Sequence, residues 1–162
     1  MILDFYFKRP LFWDYLISVC TTATLMLAFK LEKLSLPEKQ ESFSLTGDLT
    51  NISLTLVGFI LTILTVLITF KDNSNSQIDD QHEPVFKKFF STAYYYETVR
   101  HLKNCIKSIS LIAVLGFFLK LFLSTEYRVY LFFYNILGLI IIMLTIYRCL
   151  LILGKILELQ KK

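Results

Sequence analysis

The sequence predicts an all-α, polytopic membrane protein that crosses a bilayer four times. Of its 162 residues, 55% are hydrophobic and only 19% are charged, a balance outside the usual range of soluble domains. The apolar residues are concentrated in four segments, residues 11–29, 49–70, 109–123 and 129–153. Segment 49–70 contains no charged residue and, at about 1.5 Å per residue, can cross a hydrocarbon core of roughly 30 Å. We therefore expect four transmembrane helices, with a cytoplasmic helical extension of the third.

These segments divide the chain into four regions. Residues 1–10 are expected to form an interfacial N-terminal segment, and residues 11–70 hold spans one and two, joined by an outer loop over residues 30–50. Residues 71–107 form a central cytoplasmic region, in which a turn-rich stretch over 71–83 precedes one long helix from Pro84 to Leu123. Residues 108–162 hold spans three and four and a cytoplasmic tail, and the short connection at 124–128 predicts an antiparallel hairpin.

The distribution of positive charge predicts the orientation of the chain. Most of the 17 Lys and Arg residues lie in the N-terminal segment, in the central region and after residue 147. Because cytoplasmic loops carry an excess of Lys and Arg, these parts are expected on the cytoplasmic side. Both termini of this multi-pass protein are therefore expected in the cytoplasm.

The second span carries a narrow line of polar and small residues, which we call the seam. Its members follow one another at steps of three and four residues and so share one helix face: Asp48, Asn51, Thr55, Gly58, Thr62, Thr65, Thr69 and Asp72. One interpretation is packing, because small residues let helices approach closely and Thr can bond to a carbonyl one turn back. The other is a pore lining, in which several copies form stacked hydroxyl rings with acidic rings at both mouths. The unbroken run and the two terminal acids favour the pore.

The central region combines basic and aromatic side chains. Its candidate ligand-binding residues are Lys87, Lys88, Tyr94, Tyr95, Tyr96, Arg100, Lys103 and Lys107. One interpretation is a positively charged flank that binds anionic lipid headgroups. The other is a site for single-stranded DNA or another polyanion, since backbone charge and base stacking require cations interleaved with aromatic rings.

The remaining polar residues do not indicate catalysis. His82 and His101 are isolated, and no His, Cys, Asp and Glu cluster has metal-ligand spacing, so we predict neither an enzyme nor a cofactor or metal. Cys20, Cys105 and Cys149 lie in or beside spans and imply no disulfide framework, and Cys105 and Cys149 are expected to be small buried side chains.

Two further polar residues are expected to make contacts inside the bilayer. Asp14 lies one turn inside the first span and should pair with Arg9 or Arg148, or else contribute a charge to a vestibule. Asn135 in the fourth span should form an interhelical hydrogen bond.

The layout resembles the small four-span membrane effectors of bacterial anti-phage defence systems: the Hailong membrane effector, the Kiwa membrane subunit and the Rex membrane protein of lambdoid phages. The resemblance rests on the short first outer loop, the stretch Gly58-Phe59-Ile60-Leu61-Thr62, the Tyr- and Arg-rich helix over residues 94–107 and the tight hairpin into span four. It implies an oligomer in the bacterial inner membrane that acts on membrane potential or senses membrane perturbation, and that works with a cytoplasmic partner. Similarity to Hailong effectors further implies a channel held shut by short single-stranded DNA, made by a companion nucleotidyltransferase.

The expectation is thus a homo-oligomer, a tetramer, that surrounds span two and conducts ions. Opening would depolarise the inner membrane and cause abortive infection, and an oligonucleotide or similar cytoplasmic ligand would gate it. The alternative is a non-conducting membrane sensor or scaffold subunit that works with a cytoplasmic partner protein. In a pore the seam faces an oligomer axis, whereas in a scaffold it can be buried against spans of the same subunit.

Overall fold

The structure, a computed structural model, describes residues 9–76 and 93–160. This part of the chain forms helices α1 (Pro10–Lys30), α2 (Lys39–Ser76), α3 (Ala93–Phe122) and α4 (Leu131–Gln160), with a 3-10 helix, Thr125–Tyr130, before α4. Four stretches are long and apolar enough to cross a membrane: Pro10–Lys30, Lys39–Lys71, Tyr95–Phe122 and Thr125–Gly154. The predicted all-α fold with four spans is therefore confirmed.

The residues at the two ends of helix α1 explain where it begins and ends. Pro10 occupies the first turn, where its missing N–H has no intrahelical acceptor to lose. At the other end the Glu32 backbone has a φ of 57°, in the left-handed region, and the Lys33 N–H donates to the Ala28 carbonyl at 3.1 Å. The left-handed conformation of Glu32 lets the Lys33 N–H satisfy a terminal carbonyl of α1 and turns the chain away from the helix axis.

Helix α2 begins at Lys39, so the predicted outer loop over residues 30–50 is wrong for its second half. The Glu41 carboxylate accepts a hydrogen bond from the Glu38 N–H at 3.3 Å, and the Ser42 N–H donates to the Glu38 carbonyl at 3.0 Å. These bonds satisfy backbone groups at the helix start. Within this first part of α2, Ser42 and Thr46 contact Asn135 of α4, as described below.

The other end of α2 also differs from the expectation. The helix continues through Ser76, although a turn-rich stretch was predicted from residue 71. Once a long helix has formed, each added residue contributes a hydrogen bond without a new nucleation cost, and residues 71–76 contain no Gly or Pro. The expected interfacial segment at residues 1–8 and the helix start at Pro84 lie outside the described residues.

The helices form an antiparallel bundle in which α4 contacts the other three. Helix α2 packs against α3 and α4, α3 also packs against α4, and α1 packs mainly against α4. One cluster joins α2 to α3 through Ile60, Leu64, Leu102, Cys105 and Ile109, and a second joins α2, α3 and α4 through Leu49, Ile112, Ile141 and Ile142. We call the end near residues 31–38 and 123–130 the hairpin end and the opposite end the terminal end.

Candidate functional site

The seam lies on a face of α2 that none of the other described helices covers. Seven of its members are exposed: Asp48, Asn51, Thr55, Gly58, Thr62, Thr65 and Thr69. The eighth, Asp72, lies in the helix, but its side chain is outside the described ones. A Cβ added at Gly58 would meet nothing within 4 Å, so this face has open space beside it in the single chain. The seam therefore does not pack against the other helices in the described part of the subunit.

The threonine hydroxyls of the seam donate back to their own helix. The four donor and acceptor pairs are Thr55 to the Asn51 carbonyl at 2.9 Å, Thr62 to Gly58 at 3.0 Å, Thr65 to Leu61 at 2.9 Å and Thr69 to Thr65 at 3.0 Å. Each hydroxyl has one proton, and a carbonyl can only accept, so the proton is engaged in this bond. The outward side of each oxygen is thus an acceptor. The seam presents a column of acceptors, which suits water or cations rather than anions.

A second polar line on α2 has the opposite environment and was missed from the sequence. Its members are buried: Ser42, Thr46, Thr50 and Ser53. The Thr46 hydroxyl oxygen lies 2.9 Å from both the Asn135 Oδ1 atom and the Ser42 carbonyl, so its one proton is shared between these two acceptors, and Asn135 Nδ2 donates to the Ser42 carbonyl at 3.0 Å. The predicted interhelical hydrogen bond of Asn135 is confirmed. The four-residue spacing of Ser42, Thr46 and Thr50 was the available signal, but these residues were assigned to a loop.

The two lines divide the polar residues of α2 between two environments. The buried line makes contacts of the kind that the packing interpretation requires, because small hydroxyl residues let α2 approach α4 and Asn135 bonds across the gap. The seam, which has a similar residue composition, is left facing outward. No described helix of the same chain lies against it.

The exposed cations of α3 form a basic surface toward the terminal end. Arg100, Lys103 and Lys107 are exposed and, at three- and four-residue steps, share one side of the helix. No carboxylate oxygen of a described residue lies within 4.0 Å of these cations. Lys87 and Lys88 lie outside the described residues, so the basic surface is defined here by three residues.

The tyrosines beside this surface differ in accessibility. Tyr96 is 62% exposed, whereas Tyr95 is only 4% exposed and is therefore closed to base stacking in the single chain. The Lys71 Nζ atom lies 4.6 Å from the Tyr95 ring centroid and 4.4 Å from that of Tyr96, and it donates to the Tyr96 hydroxyl at 3.0 Å. Lys71 therefore ties the end of the seam helix to the aromatic start of α3. The side chain of Tyr94 is outside those that the structure describes.

A charged cluster that joins three helices is buried near the terminal end. Arg148 Nη1 lies 2.8 Å from Asp14 Oδ2, and both side chains have an exposed fraction of 0%. The predicted pairing of Asp14 is confirmed, with Arg148 as the partner. The alternative, in which Asp14 contributes a charge to a vestibule, does not fit a side chain that is fully buried in the single chain. Arg148 Nη2 donates to Cys105 Sγ at 3.4 Å, and Cys149 Sγ lies 3.4 Å from the same sulfur. The sequence indicated small buried cysteines but not this cluster.

The structure thus separates four groups of polar residues. The seam and the basic surface are exposed, and Lys71 connects the helices that carry them, whereas the second polar line of α2 and the Asp14–Arg148 cluster are internal. Comparison of the chain with protein-family models, with curated proteins and with solved structures found no match.

Proposed function

We propose that the protein is an oligomeric, gated ion channel of the bacterial inner membrane, with α2 of each copy lining the pore. The observation that supports this proposal is the exposed seam on α2. We further propose that the channel belongs to an anti-phage defence system, that its opening depolarises the membrane, and that a cytoplasmic polyanion such as a short single-stranded oligonucleotide keeps it shut. In this arrangement both termini lie in the cytoplasm.

The cost of placing the seam against lipid supports an oligomer. A carboxylate or amide exposed to hydrocarbon is expensive, by roughly 2.5 to 3.5 kcal/mol for an Asp at the centre of a span on insertion scales. The seam carries Asp48 and Asn51 on the same face as its threonines. Placing this face around a water-filled axis with other copies removes that cost. A tetramer is the expected stoichiometry.

The chemistry of the seam favours cations. The hydroxyl protons are engaged with the α2 backbone, so the oxygens that face outward can accept from water or coordinate a cation. Copies of Asp48 near one end of the seam would add a ring of negative charge, and rings of this kind select cations. We therefore propose a cation-conducting pore.

The link between the basic surface and the seam supports gating by a polyanion. Arg100, Lys103 and Lys107 are accessible to a ligand, and an oligomer would multiply them around one vestibule. Lys71 bonds to Tyr96 on the helix that carries these cations, and it lies two residues from the end of the described seam at Thr69. A ligand that moves the start of α3 can thus act on the end of α2.

Ion flux through liposomes tests the pore. Thr62→Leu and Thr65→Leu should each reduce flux by about tenfold or more, because a bulky apolar side chain narrows and dewets a pore lined with hydroxyls. Thr21→Leu is the matched control: Thr21 is also an exposed threonine that donates to its own helix, at 2.8 Å to the Ile17 carbonyl, but it lies on α1. Unchanged flux from both seam variants would remove the pore assignment.

Oligomer formation can be tested separately through Gly58. Since a Cβ at this position meets nothing within the chain, Gly58→Leu should leave the fold of one subunit intact. If copies of α2 surround an axis, the variant should change the oligomeric state in detergent or block conduction. A variant that assembles and conducts like the parent would show that α2 does not line the axis, and a parent that conducts no ions would favour the alternative function, a non-conducting sensor or scaffold.

Binding of a labelled single-stranded DNA across a salt series tests the ligand. Replacing Arg100, Lys103 and Lys107 with Gln should weaken binding and lower its salt dependence, because each lost phosphate contact reduces counterion release. The double variant Lys33→Gln/Lys39→Gln removes exposed cations at the hairpin end and serves as the control. Absence of binding by the parent protein at low salt would defeat the nucleic-acid proposal and leave headgroup binding as the role of this surface.

A further inference from the structure

Two cations converge on one aromatic ring at the hairpin end of the bundle. Lys120 Nζ, from the last turn of α3, lies 4.5 Å from the centroid of the Phe43 ring on α2. Arg128 Cζ, from the 3-10 helix, lies 4.2 Å from the same centroid. We call Phe43, Lys120 and Arg128 the hairpin-end cation cluster. It brings α2 together with two consecutive elements that lie much later in the chain, so its geometry depends on the tertiary fold.

The α2 backbone makes room for this cluster. A Cβ on Gly47, one turn after Phe43, would come 2.5 Å from Lys120 Nζ. Any other residue at position 47 would therefore displace the ammonium group. Lys120 and Arg128 are both only partly exposed, and the Arg128 Nε atom is buried without a hydrogen-bond partner among the described residues. The cations are held in place and are not fully solvated.

The cluster has an unbalanced charge. Both cations lie near one ring centroid, so their separation is at most about 9 Å, close to the screening length of roughly 8 Å at physiological salt. Neither cation lies within 4.0 Å of a carboxylate oxygen of a described residue. The Phe43 ring attracts each cation modestly but carries no net charge. Two cations held this close at a membrane interface, with no carboxylate of a described residue beside them, favour binding of an added anion.

We propose that Lys120 and Arg128 form a binding site for the phosphodiester headgroup of an anionic lipid at the hairpin end. The position favours a lipid, because the cluster lies where α3 ends and the chain turns back, at the level expected for headgroups. Lysine supplies a point charge and arginine a planar fork of donors, both suited to phosphate oxygens. A bound headgroup would join the α3–α4 hairpin to α2. This inference goes beyond the proposed channel and does not depend on conduction.

Lipid retention by the full chain tests the site. The protein is exchanged into nanodiscs that contain phosphatidylcholine with increasing phosphatidylglycerol, and retained lipids are counted by native mass spectrometry. The parent should retain phosphatidylglycerol preferentially, and Lys120→Gln/Arg128→Gln should weaken this preference by about tenfold or more, since each basic residue near a surface adds attraction for anionic lipid. Phe43→Leu keeps both charges but removes the ring that positions them, and it should give an intermediate loss.

The control removes the same charge at the same end of the bundle. Lys33→Gln/Lys39→Gln lacks two exposed cations that do not belong to the cluster, and it should retain phosphatidylglycerol like the parent. An equal loss in this control would show general surface attraction and overturn the site. Displacement of the lipid by millimolar inorganic phosphate would overturn the lipid assignment in favour of a soluble anion. The single variants Lys120→Gln and Arg128→Gln provide the same comparison if the double variant does not fold, and unchanged retention by both would also overturn the proposal.

Discussion

The ion pair between Asp14 and Arg148 is the contact whose loss should most reduce the stability of the bundle. Both side chains are fully buried, their atoms lie 2.8 Å apart, and they join α1 to α4, the helix against which α1 mainly packs. Asp14→Asn removes the carboxylate that lies against this buried guanidinium group. Removing one partner of a buried pair costs about 3 to 5 kcal/mol, so we expect a loss of that size in the free energy of unfolding.

The double variant Asp14→Leu/Arg148→Met distinguishes two contributions to the free energy of unfolding: the cost of a buried charge that has lost its partner, and the stabilisation by the intact ion pair. Two apolar side chains of similar volume require no desolvation, and such replacements of buried pairs are neutral or stabilising by about 1 to 4 kcal/mol. We therefore expect the double variant to be at least as stable as the parent, although Asp14→Asn alone is not. An exposed substitution, Lys39→Gln, should change stability by less than about 0.5 kcal/mol.

The assay is unfolding by sodium dodecyl sulfate in mixed micelles, followed by tryptophan fluorescence. The chain has one tryptophan, Trp13, which directly precedes Asp14 and so reports on the contact between α1 and α4. A loss below about 1 kcal/mol for Asp14→Asn would refute the reasoning, because it would mean that the pair is hydrated or not formed. A double variant no more stable than Asp14→Asn would also refute it.

Three further predictions concern packing. Cys105 and Cys149 have Sγ atoms 3.4 Å apart, so they should lose two hydrogen atoms to diamide and form an intramolecular disulfide, visible by peptide mass spectrometry. Products cross-linked only between chains would contradict the register of α3 and α4. Gly138→Ala should destabilise the bundle, because its Cβ would lie 2.7 Å from a leucine of α2. Gly154→Ala has open space and should raise the free energy of unfolding by up to about 1 kcal/mol in the same assay. The reverse order of stability would contradict this packing. Asn135→Leu should lower the free energy of unfolding by about 0.5 to 2 kcal/mol through its lost bonds to α2, and an unchanged value would count against them.

The number and type of elements follow from the sequence because they depend on local chemistry. A run of apolar residues long enough to cross a bilayer must satisfy its backbone groups internally. A helix does so whatever packs beside it, because all of its backbone hydrogen bonds form within the segment. The short link near residue 124 left the last two spans no arrangement but an antiparallel hairpin. The charge of Asp14 within a span likewise required a cation, and the sequence offered Arg9 or Arg148 as that partner.

The use of each polar face was decided by tertiary structure. Thr46 and Thr62 lie on the same helix, and each donates back to a carbonyl four residues earlier, so periodicity does not distinguish the line that packs from the line that faces outward. The position of Asn135 on α4 makes the distinction, because it bonds to Thr46 and draws that face inward. The same reason accounts for the misplaced start of α2, since polar residues at its beginning resemble a loop until their partners are known.

In the basic and aromatic region, too, the sequence did not predict which individual side chains are buried. Consecutive residues on a helix point about 100° apart, so Tyr95 and Tyr96 had to differ in environment, but the sequence did not indicate which one would be buried. The packing of α3 on α2 buries Tyr95 and leaves Tyr96 exposed, with Lys71 bonded to its hydroxyl. The sequence by itself determined four membrane helices and the polar lines along them, because hydrophobicity and periodicity are local. Which lines are buried was decided only by the tertiary structure, because burial depends on the partner that each face meets.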